Sequence, residues 1–329
     1  MRSTRLGRSG VAVTELAFGA AALGNLHTPV DDESAAATVD AAWEAGIRYF
    51  DTAPHYGLGL SEIRLGRALT GRPRGSFTVS TKVGRLLDPV DHPTGDDCAQ
   101  GFAVPATHRR IWDFSADGIL RSIDASLRRL GLDALDVVYL HDPDDHLEQA
   151  LSEGYPALER LRSEGVISAI GAGMNQSAAL TRFVTETDVD AVLLAGRYTL
   201  LNHEAIGHLL PAAAARGTSV VIGGVFNSGL LAAPRPGATY DYAPASASLV
   251  QRAVDLQAAT ERHGVALRAA ALQFPFGHPA VTSVLVGARS ADEVRDAAAL
   301  LSQPLPAALW NDLLAAGHLP TGVPTPKRI

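Results

Sequence analysis

Arg48-Tyr49-Phe50-Asp51-Thr52-Ala53-Pro54-His55-Tyr56 reads as a short apolar strand, residues 48–50, running into a loop closed by Pro54. A carboxylate, Asp51, stands where the strand ends, and a phenol, Tyr56, follows five residues on. Two other strand-like segments end in the same manner. Phe77-Thr78-Val79-Ser80-Thr81 delivers Lys82, and Asp136-Val137-Val138-Tyr139-Leu140 delivers His141. In a closed barrel of parallel strands, catalytic groups come from the C-terminal ends of several strands. Asp51, Tyr56, Lys82 and His141 are therefore expected to converge on one face.

Outward from that stretch, strand and helix signals alternate. Residues 5–18 read as two short strands around Gly7-Arg8-Ser9-Gly10, a hairpin signal, with a buried strand starting at Leu16. Asp31 or Asp32 caps a helix that stops at Gly46, and Ser115 caps another that stops at Gly131. In the second, Asp124 and Arg128 form an outward i,i+4 pair. Asp145 is expected to cap a helical stretch ending at Gly165. Further strands are expected over 166–171, 191–195, 218–222 and 283–286, with helices over 176–186, 203–216, 247–276 (broken at Gly264), 290–301 and 306–316. Residues 84–114 carry Pro89, Pro93, Gly95, Gly101 and Pro105 without a clear period, and predict a long functional or disordered loop.

Eight apolar strands, most followed by a helix, predict a (β/α)8 TIM barrel as one domain over residues 1–329. It would carry an N-terminal β-hairpin and a long loop after strand 3. A doubly wound open sheet is the alternative, but its Gly-x-Gly-x-x-Gly turn is absent after the first strand. With 47% hydrophobic and 19% charged residues, the composition fits a soluble globular body. The net charge of -7 gives no reason to expect nucleic acid or an anionic membrane as partner. Cys98 is the only cysteine, so no intrachain disulfide can form; with no apolar leader after Met1, a cytoplasmic protein is expected.

Free tyrosine, with a pKa near ~10, is a poor acid or base at neutral pH. A lysine cation within hydrogen-bond reach favours its phenolate, and a carboxylate holds the lysine charged. Tyr56, Lys82 and Asp51 supply such a relay, and His141 adds a donor to a carbonyl or hydroxyl oxygen. The set suits proton transfer coupled to hydride transfer at a carbonyl carbon. Singly, each has a plainer reading: Asp51 as a turn residue, Lys82 as a solvated strand end, His141 as a core histidine. Their joint placement at three successive strand ends favours chemistry. His141-Asp142-Pro143-Asp144-Asp145-His146 also holds metal-ligand types. The first strand lacks the His-x-His of many barrel hydrolases, so a turn shaped by Pro143 is preferred and no metal is expected. Phe102 and Trp112, in the long loop, either wall a substrate pocket or anchor the loop.

The chain resembles the aldo-keto reductases throughout its length. The resemblance rests on Phe50-Asp51-Thr52-Ala53-Pro54-His55-Tyr56-Gly57, Ser80-Thr81-Lys82 and Ser122-Ile123-Asp124-Ala125-Ser126-Leu127-Arg128-Arg129-Leu130. His141 to His146, Gly173-Met174-Asn175-Gln176, Ala195 to Leu201 and Gly223 to Gly229 resemble its branch of sugar and pyridoxal dehydrogenases. The resemblance implies Tyr56 as acid or base, Lys82 and Asp51 tuning it, and His141 orienting the substrate; His55 and Trp112 are candidate substrate contacts. It implies an NAD or NADP cofactor. Asn175 would hold the carboxamide, the loop Val225, Phe226, Asn227, Ser228 to Leu230 would wrap the pyrophosphate, and Arg289, Ser290 and Glu293 would meet the adenosine end. Met174, Ala195 and Gly223 depart from the family's usual serine, glutamine and stacking aromatic; Tyr198 either substitutes for that aromatic or is a core residue. Glu293, where NADP users carry a basic side chain, implies a modest preference for NAD. The implied activity is oxidation of a sugar of the L-fucose or D-threo-aldose class at C1 to the lactone, or of pyridoxal. The alternatives are a general NADPH-dependent aldehyde reductase and a nicotinamide-binding regulatory subunit. The partner is a small molecule, and the oligomeric state is left open.

Overall fold

In the computed structural model, which describes residues 1–241 and 243–327, eight parallel strands close into a barrel in sequence order. They are β1 (Leu16–Gly19), β2 (Tyr49–Asp51), β3 (Thr78–Val83), β4 (Leu135–His141), β5 (Ile167–Met174), β6 (Ala191–Ala195), β7 (Ser219–Gly223) and β8 (Val281–Gly287). β8 returns to pair with β1, Val284 opposite Leu16. Around them stand α1 (Asp32–Glu44), α2 (Leu60–Leu69), α3 (Ala116–Leu130), α4 (Tyr155–Ser163), α5 (Ser177–Glu186), α6 (Leu209–Arg216), α7 (Ala247–Glu261), α8 (Leu267–Gln273), α9 (Ala291–Ser302) and α10 (Ala307–Ala315). The expected barrel is thus the observed one, and among the described residues no helix is long and apolar enough to cross a membrane.

Helix starts follow local chemistry. The Asp31 carboxylate accepts the Ser34 N–H at the head of α1, and Ser115 Oγ accepts the Gly118 N–H at the head of α3. Such caps satisfy donors that the first helical turn leaves unpaired. Gly131 ends α3 at φ 63, a left-handed backbone that glycine adopts without strain. Asp145 is not a cap. It lies in a 3-10 turn, Asp144–His146, and the helical segment after it has His146 at its cap position with no side-chain hydrogen bond.

Strand residues alternate between two apolar layers, as the two-residue period of a strand requires. Leu16, Phe18, Phe50, Val79, Val83, Val138 and Leu140 pack outward under the helices. Ala17, Tyr49, Val137, Tyr139, Ala169, Leu193 and Val221 fill the barrel interior. The interior is closed at its N-terminal end by a hairpin, Ser3–Arg5 against Ala12–Thr14. Leu6, Val11 and Val13 of that hairpin join the interior cluster. The plug is also hydrogen-bonded in place: Gly7 N–H donates to Ser219 Oγ, Thr78 Oγ1 to the Ala12 carbonyl and Ser283 Oγ to the Thr14 carbonyl. Gly7 has φ +55, and a Cβ there would sit 2.0 Å from the Asp190 carbonyl oxygen. With the bottom plugged, only the C-terminal end of the barrel is left open.

Residues 84–114 correct the expectation of an irregular loop. Arg85–Pro89 pairs antiparallel with His108–Trp112, Arg85 opposite Trp112 and Pro89 opposite His108. Between them runs an excursion with a 3-10 turn at Cys98–Gln100 and a buried Phe102. This ribbon stands over the open end of the barrel.

Candidate active site

Counting by twos up the inward face places the polar residues. On β2 the inward positions are Tyr49 and Asp51; on β3 they are Thr78, Ser80 and Lys82; on β4 they are Val137, Tyr139 and His141. Asp51, Lys82 and His141 are therefore the last inward residues of three neighbouring strands. The loop after β2 turns back and brings Tyr56 over them. Lys82 Nζ lies 2.5 Å from Asp51 Oδ2, 3.0 Å from the Thr52 carbonyl oxygen and 3.0 Å from the Tyr56 hydroxyl. These three contacts occupy the three donors of an ammonium group. The other Asp51 oxygen accepts Ser80 Oγ at 2.7 Å. The His141 ring centre lies 5.9 Å from that of Tyr56. The four residues singled out from the sequence are thus brought together.

Burial pushes the Lys82 ammonium toward neutrality, but the Asp51 carboxylate and the Tyr56 hydroxyl more than offset it and raise its pKa above the ordinary value. For Tyr56 the balance goes against the expectation that Lys82 dominates. Burial raises the phenol above its ordinary value, Asp51 adds to the rise, and the Lys82 cation offsets only part of it. Burial also drives His141 well below its ordinary range, aided by the cations of Arg85 and Lys82, so the ring is neutral. Its Nδ1 is sealed from solvent and has no protein partner.

Tyr56, Lys82 and His141 open into a cavity of about 610 Å³ whose wall also includes His55, Phe102, Asn175 and Ala195. A second cavity of about 630 Å³ adjoins it, sharing Ala21, Leu26 and His27, and reaches Phe226, Ser228, Arg289 and Glu293. The two form one groove across the top of the barrel. Asn175 follows the last residue of β5 and lines the same cavity as Tyr56, Lys82 and His141. Met174, just before it, is buried in the core.

Several residues lie elsewhere than the sequence suggested. Trp112 is 41% exposed, stacks on Arg85 and does not line the cavity; Phe102 is the aromatic that does. Tyr198 is fully buried against Phe274 and reaches neither cavity, so it is a core tyrosine and cannot stack on a ring in the groove. Val225 and Leu230 turn into the core, and the Leu230 N–H is used by the Asn227 carbonyl. Asn227 is also buried; its amide donates to the Gly196 carbonyl and ties the loop to the end of β6. Of that loop, Phe226, Ser228 and Gly229 face the groove. Ser290 caps α9 by accepting the Glu293 N–H, and the Glu293 carboxylate accepts both the Arg289 N–H and its guanidinium. His146 packs on Phe114. Among the described residues no group of three acidic, histidine or cysteine side chains could hold a metal.

Two polar pairs at this site were not read from the sequence. Arg85 Nη2 lies 2.5 Å from Asp142 Oδ2, beside His141. Arg110 binds Asp97 through both terminal guanidinium nitrogens, at 2.7 and 2.6 Å, while its Nε donates to His55 Nδ1. The only sequence signal was three arginines, Arg85, Arg109 and Arg110, inside a segment rich in proline and glycine.

A model of the Aldo/keto reductase family matches residues 15–316. D-threo-aldose 1-dehydrogenase of Pseudomonas sp is 48% identical over 318 residues, covering 95% of this chain and 97% of the relative. Pyridoxal 4-dehydrogenase of Microbacterium luteolum is 40% identical over 332 residues, covering 95% and 96%. Among solved structures, the holo form of an aldo-keto reductase from Bacillus halodurans superposes with a TM-score of 0.74 at 28% identity, covering 94% of this chain and 93% of that one.

Proposed function

The chain belongs to the aldo/keto reductase family and is an oxidoreductase, and on that premise we propose that it is an NAD(P)-dependent aldose dehydrogenase oxidising C1 of a sugar to the lactone, with Tyr56 as the acid/base. The observation that carries this is the contact of Lys82 with both Asp51 and the Tyr56 hydroxyl at the floor of the cavity. The family uses nicotinamide cofactors, and the groove suits one. It is polar at both ends, with Asn175 beside the relay and Arg289 and Ser228 at the far end, and Ala21, Leu26 and His27 line the part that the two cavities share. Asn175 would hold the carboxamide, Phe226 and Ser228 the phosphates, and Arg289 the adenosine end. When bound, the nicotinamide ring supplies the two-electron acceptor at C1.

The chain's own residues manage the proton and the geometry. The Tyr56 phenolate takes the proton of the C1 hydroxyl as the C1 hydrogen leaves with its electron pair, and the C–O single bond becomes a carbonyl. Lys82 stabilises the phenolate, and Asp51 keeps Lys82 charged and in position. Neutral His141 orients the same oxygen by hydrogen bonding. In the reverse direction Tyr56 returns the proton.

The pyridoxal relative, at 40% identity, supports a second substrate, a pyridine alcohol-aldehyde that the aromatic wall at Phe102 would accommodate. Cofactor choice rests on Glu293, whose carboxylate repels a 2′-phosphate and also engages Arg289, so a modest preference for NAD follows. The lone Cys98 supports a cytoplasmic location. Absorbance at 340 nm with NAD and NADP, over a panel of L-fucose, other aldoses, pyridoxal and simple aldehydes, tests the whole reading. Turnover of aldoses with reduction of NAD supports it; exclusive reduction of simple aldehydes with NADPH, or no turnover at all, overturns it.

A further inference from the structure

The ribbon over the barrel reaches into the catalytic turn through one side chain. Arg110 lies on the second strand of the ribbon, with its side chain 6% exposed and its partner Asp97 8% exposed. Both Asp97 carboxylate oxygens accept from it, a forked pairing that fixes the guanidinium plane. Two of the three remaining donors go to a single residue: Nε to His55 Nδ1 at 2.5 Å and Nη2 to the His55 carbonyl at 3.1 Å. A guanidinium can only donate, so Nδ1 must be the acceptor and the ring proton must reside on Nε2. Burial, with the cations of Arg85 and Arg110, lowers the His55 pKa to about 3, which keeps the ring singly protonated.

His55 lines the catalytic cavity, one residue before Tyr56, and its ring centre lies 5.7 Å from that of His141. Its Nε2 has no partner among the described residues and is not one of the sealed polar atoms. The same Asp97 organises the cavity wall, since its carbonyl accepts the N–H groups of Gln100 and Phe102. We propose that Arg110 and Asp97 are positioning residues that lock His55 in its Nε2–H tautomer, making it a fixed hydrogen-bond donor to a substrate hydroxyl beside the reacting carbon. This rests on the reading of the substrate as a sugar. It goes further in assigning to His55 the recognition of a second oxygen, separate from the one that Tyr56 and His141 share.

The tautomer and the substrate contact are tested separately. Two-bond proton–nitrogen correlation spectra of protein labelled with 15N-histidine report which His55 nitrogen is protonated. The wild type is expected to show Nε2–H alone, and Arg110→Met a mixture. Wild-type signals showing Nδ1–H, or an Arg110→Met spectrum unchanged from wild type, overturn the lock. In kinetics, Arg110→Met is expected to raise KM for an aldose by roughly five- to tenfold, the worth of about one net hydrogen bond, exceeding any change in kcat. The deoxy analogue lacking the C2 hydroxyl should show no such rise. In a His55→Leu background the KM effect of Arg110→Met should vanish, a coupling that general destabilisation would not produce. An equal effect in both backgrounds overturns the proposal. Asp97→Asn gives a second route should Arg110→Met fold poorly, and a smaller change of the same sign is expected. If no aldose is oxidised while the spectra are as expected, the sugar reading falls with the hydroxyl assignment, and the tautomer lock stands.

Discussion

Two buried carboxylate–cation pairs stand back to back on β3, hung from consecutive residues. Outside the barrel, Thr81 donates to Glu62, whose other oxygen accepts Arg129 Nε at 2.6 Å. Inside, Lys82 holds Asp51, whose other oxygen accepts Ser80. Both carboxylates are fully buried and both take one hydroxyl and one cation. The difference lies in what the cation does next. Arg129 turns to Ser126 on its own helix, so the outer pair joins α2 to α3 and ends there. Lys82 spends a further donor on the Tyr56 hydroxyl at the cavity floor. Strand alternation decides which pair is structural and which is poised for chemistry, since it sends Thr81 toward the helices and Lys82 into the barrel.

The largest expected effect would break the inner pair's link to chemistry without touching the pair itself. Tyr56→Phe should lower kcat by about 10²–10⁴, the usual worth of a positioned acid/base, with cofactor binding and thermal stability nearly unchanged. Near-wild-type kcat in that variant would make the two pairs equivalent and end the mechanism. The outer pair should respond the opposite way. Glu62→Gln leaves Arg129 without its charged partner and should cost about 3–5 kcal/mol of unfolding free energy, with kcat of the folded enzyme retained; denaturant titration alongside turnover would show it.

Lys82→Met sharpens the contrast through pH. Oxidation needs Tyr56 as phenolate, so its rate rises as pH passes the phenol pKa. Burial holds that pKa up, and Lys82 is the group opposing the rise. Its loss should move the rising limb of the pH–rate profile to higher pH, whereas Arg129→Met should leave the limb in place. A third carboxylate, Glu293, is exposed and paired with Arg289. Glu293→Gln removes the repulsion of a 2′-phosphate and frees Arg289 to meet one. The ratio of kcat/KM for NADP over NAD should rise, though by under about tenfold because solvent screens the site; an unchanged ratio would show that Glu293 does not set the choice. The smallest expected effect is none: dialysis against a chelator should leave activity intact. Loss restored by Zn or Mn would revive a metal role for His141 and His146.

What was legible in the sequence follows from the range of the interactions involved. The barrel could be read because the apolar strands, and caps such as Asp31, Ser115 and Gly131, signal locally. The relay could be read because Asp51, Lys82 and His141 end such strands. The ribbon could not. Its strands, Arg85–Pro89 and His108–Trp112, lie partly or fully exposed and carry three arginines, so they lack the alternation that marks a half-buried strand. Trp112 drew attention as an aromatic near the site, yet Arg85 takes it as a stacking partner on the surface. Tyr198 and Leu230 fell on the core side of their loops because neighbouring elements, Phe274 among them, supplied apolar surface that no local pattern reports. The Asp97–Arg110–His55 contact spans three separated segments and was hidden for the same reason. The direction of the Tyr56 shift required knowing the depth of burial, which residue identity alone does not contain.

The hairpin plug has a consequence for how the chain is made. β1 completes its pairing only with β8, and Ser283 and Val284 bond back to Thr14 and Glu15. At synthesis rates of about 5–20 residues per second, the far edge of β1 waits roughly 15–60 seconds on the ribosome for that partner. An unpaired edge is a template for aggregation. Here it is only four residues long, Leu16–Gly19. A nascent chain with so short a first strand offers few backbone groups to a neighbour, and its closure is deferred until translation is nearly finished.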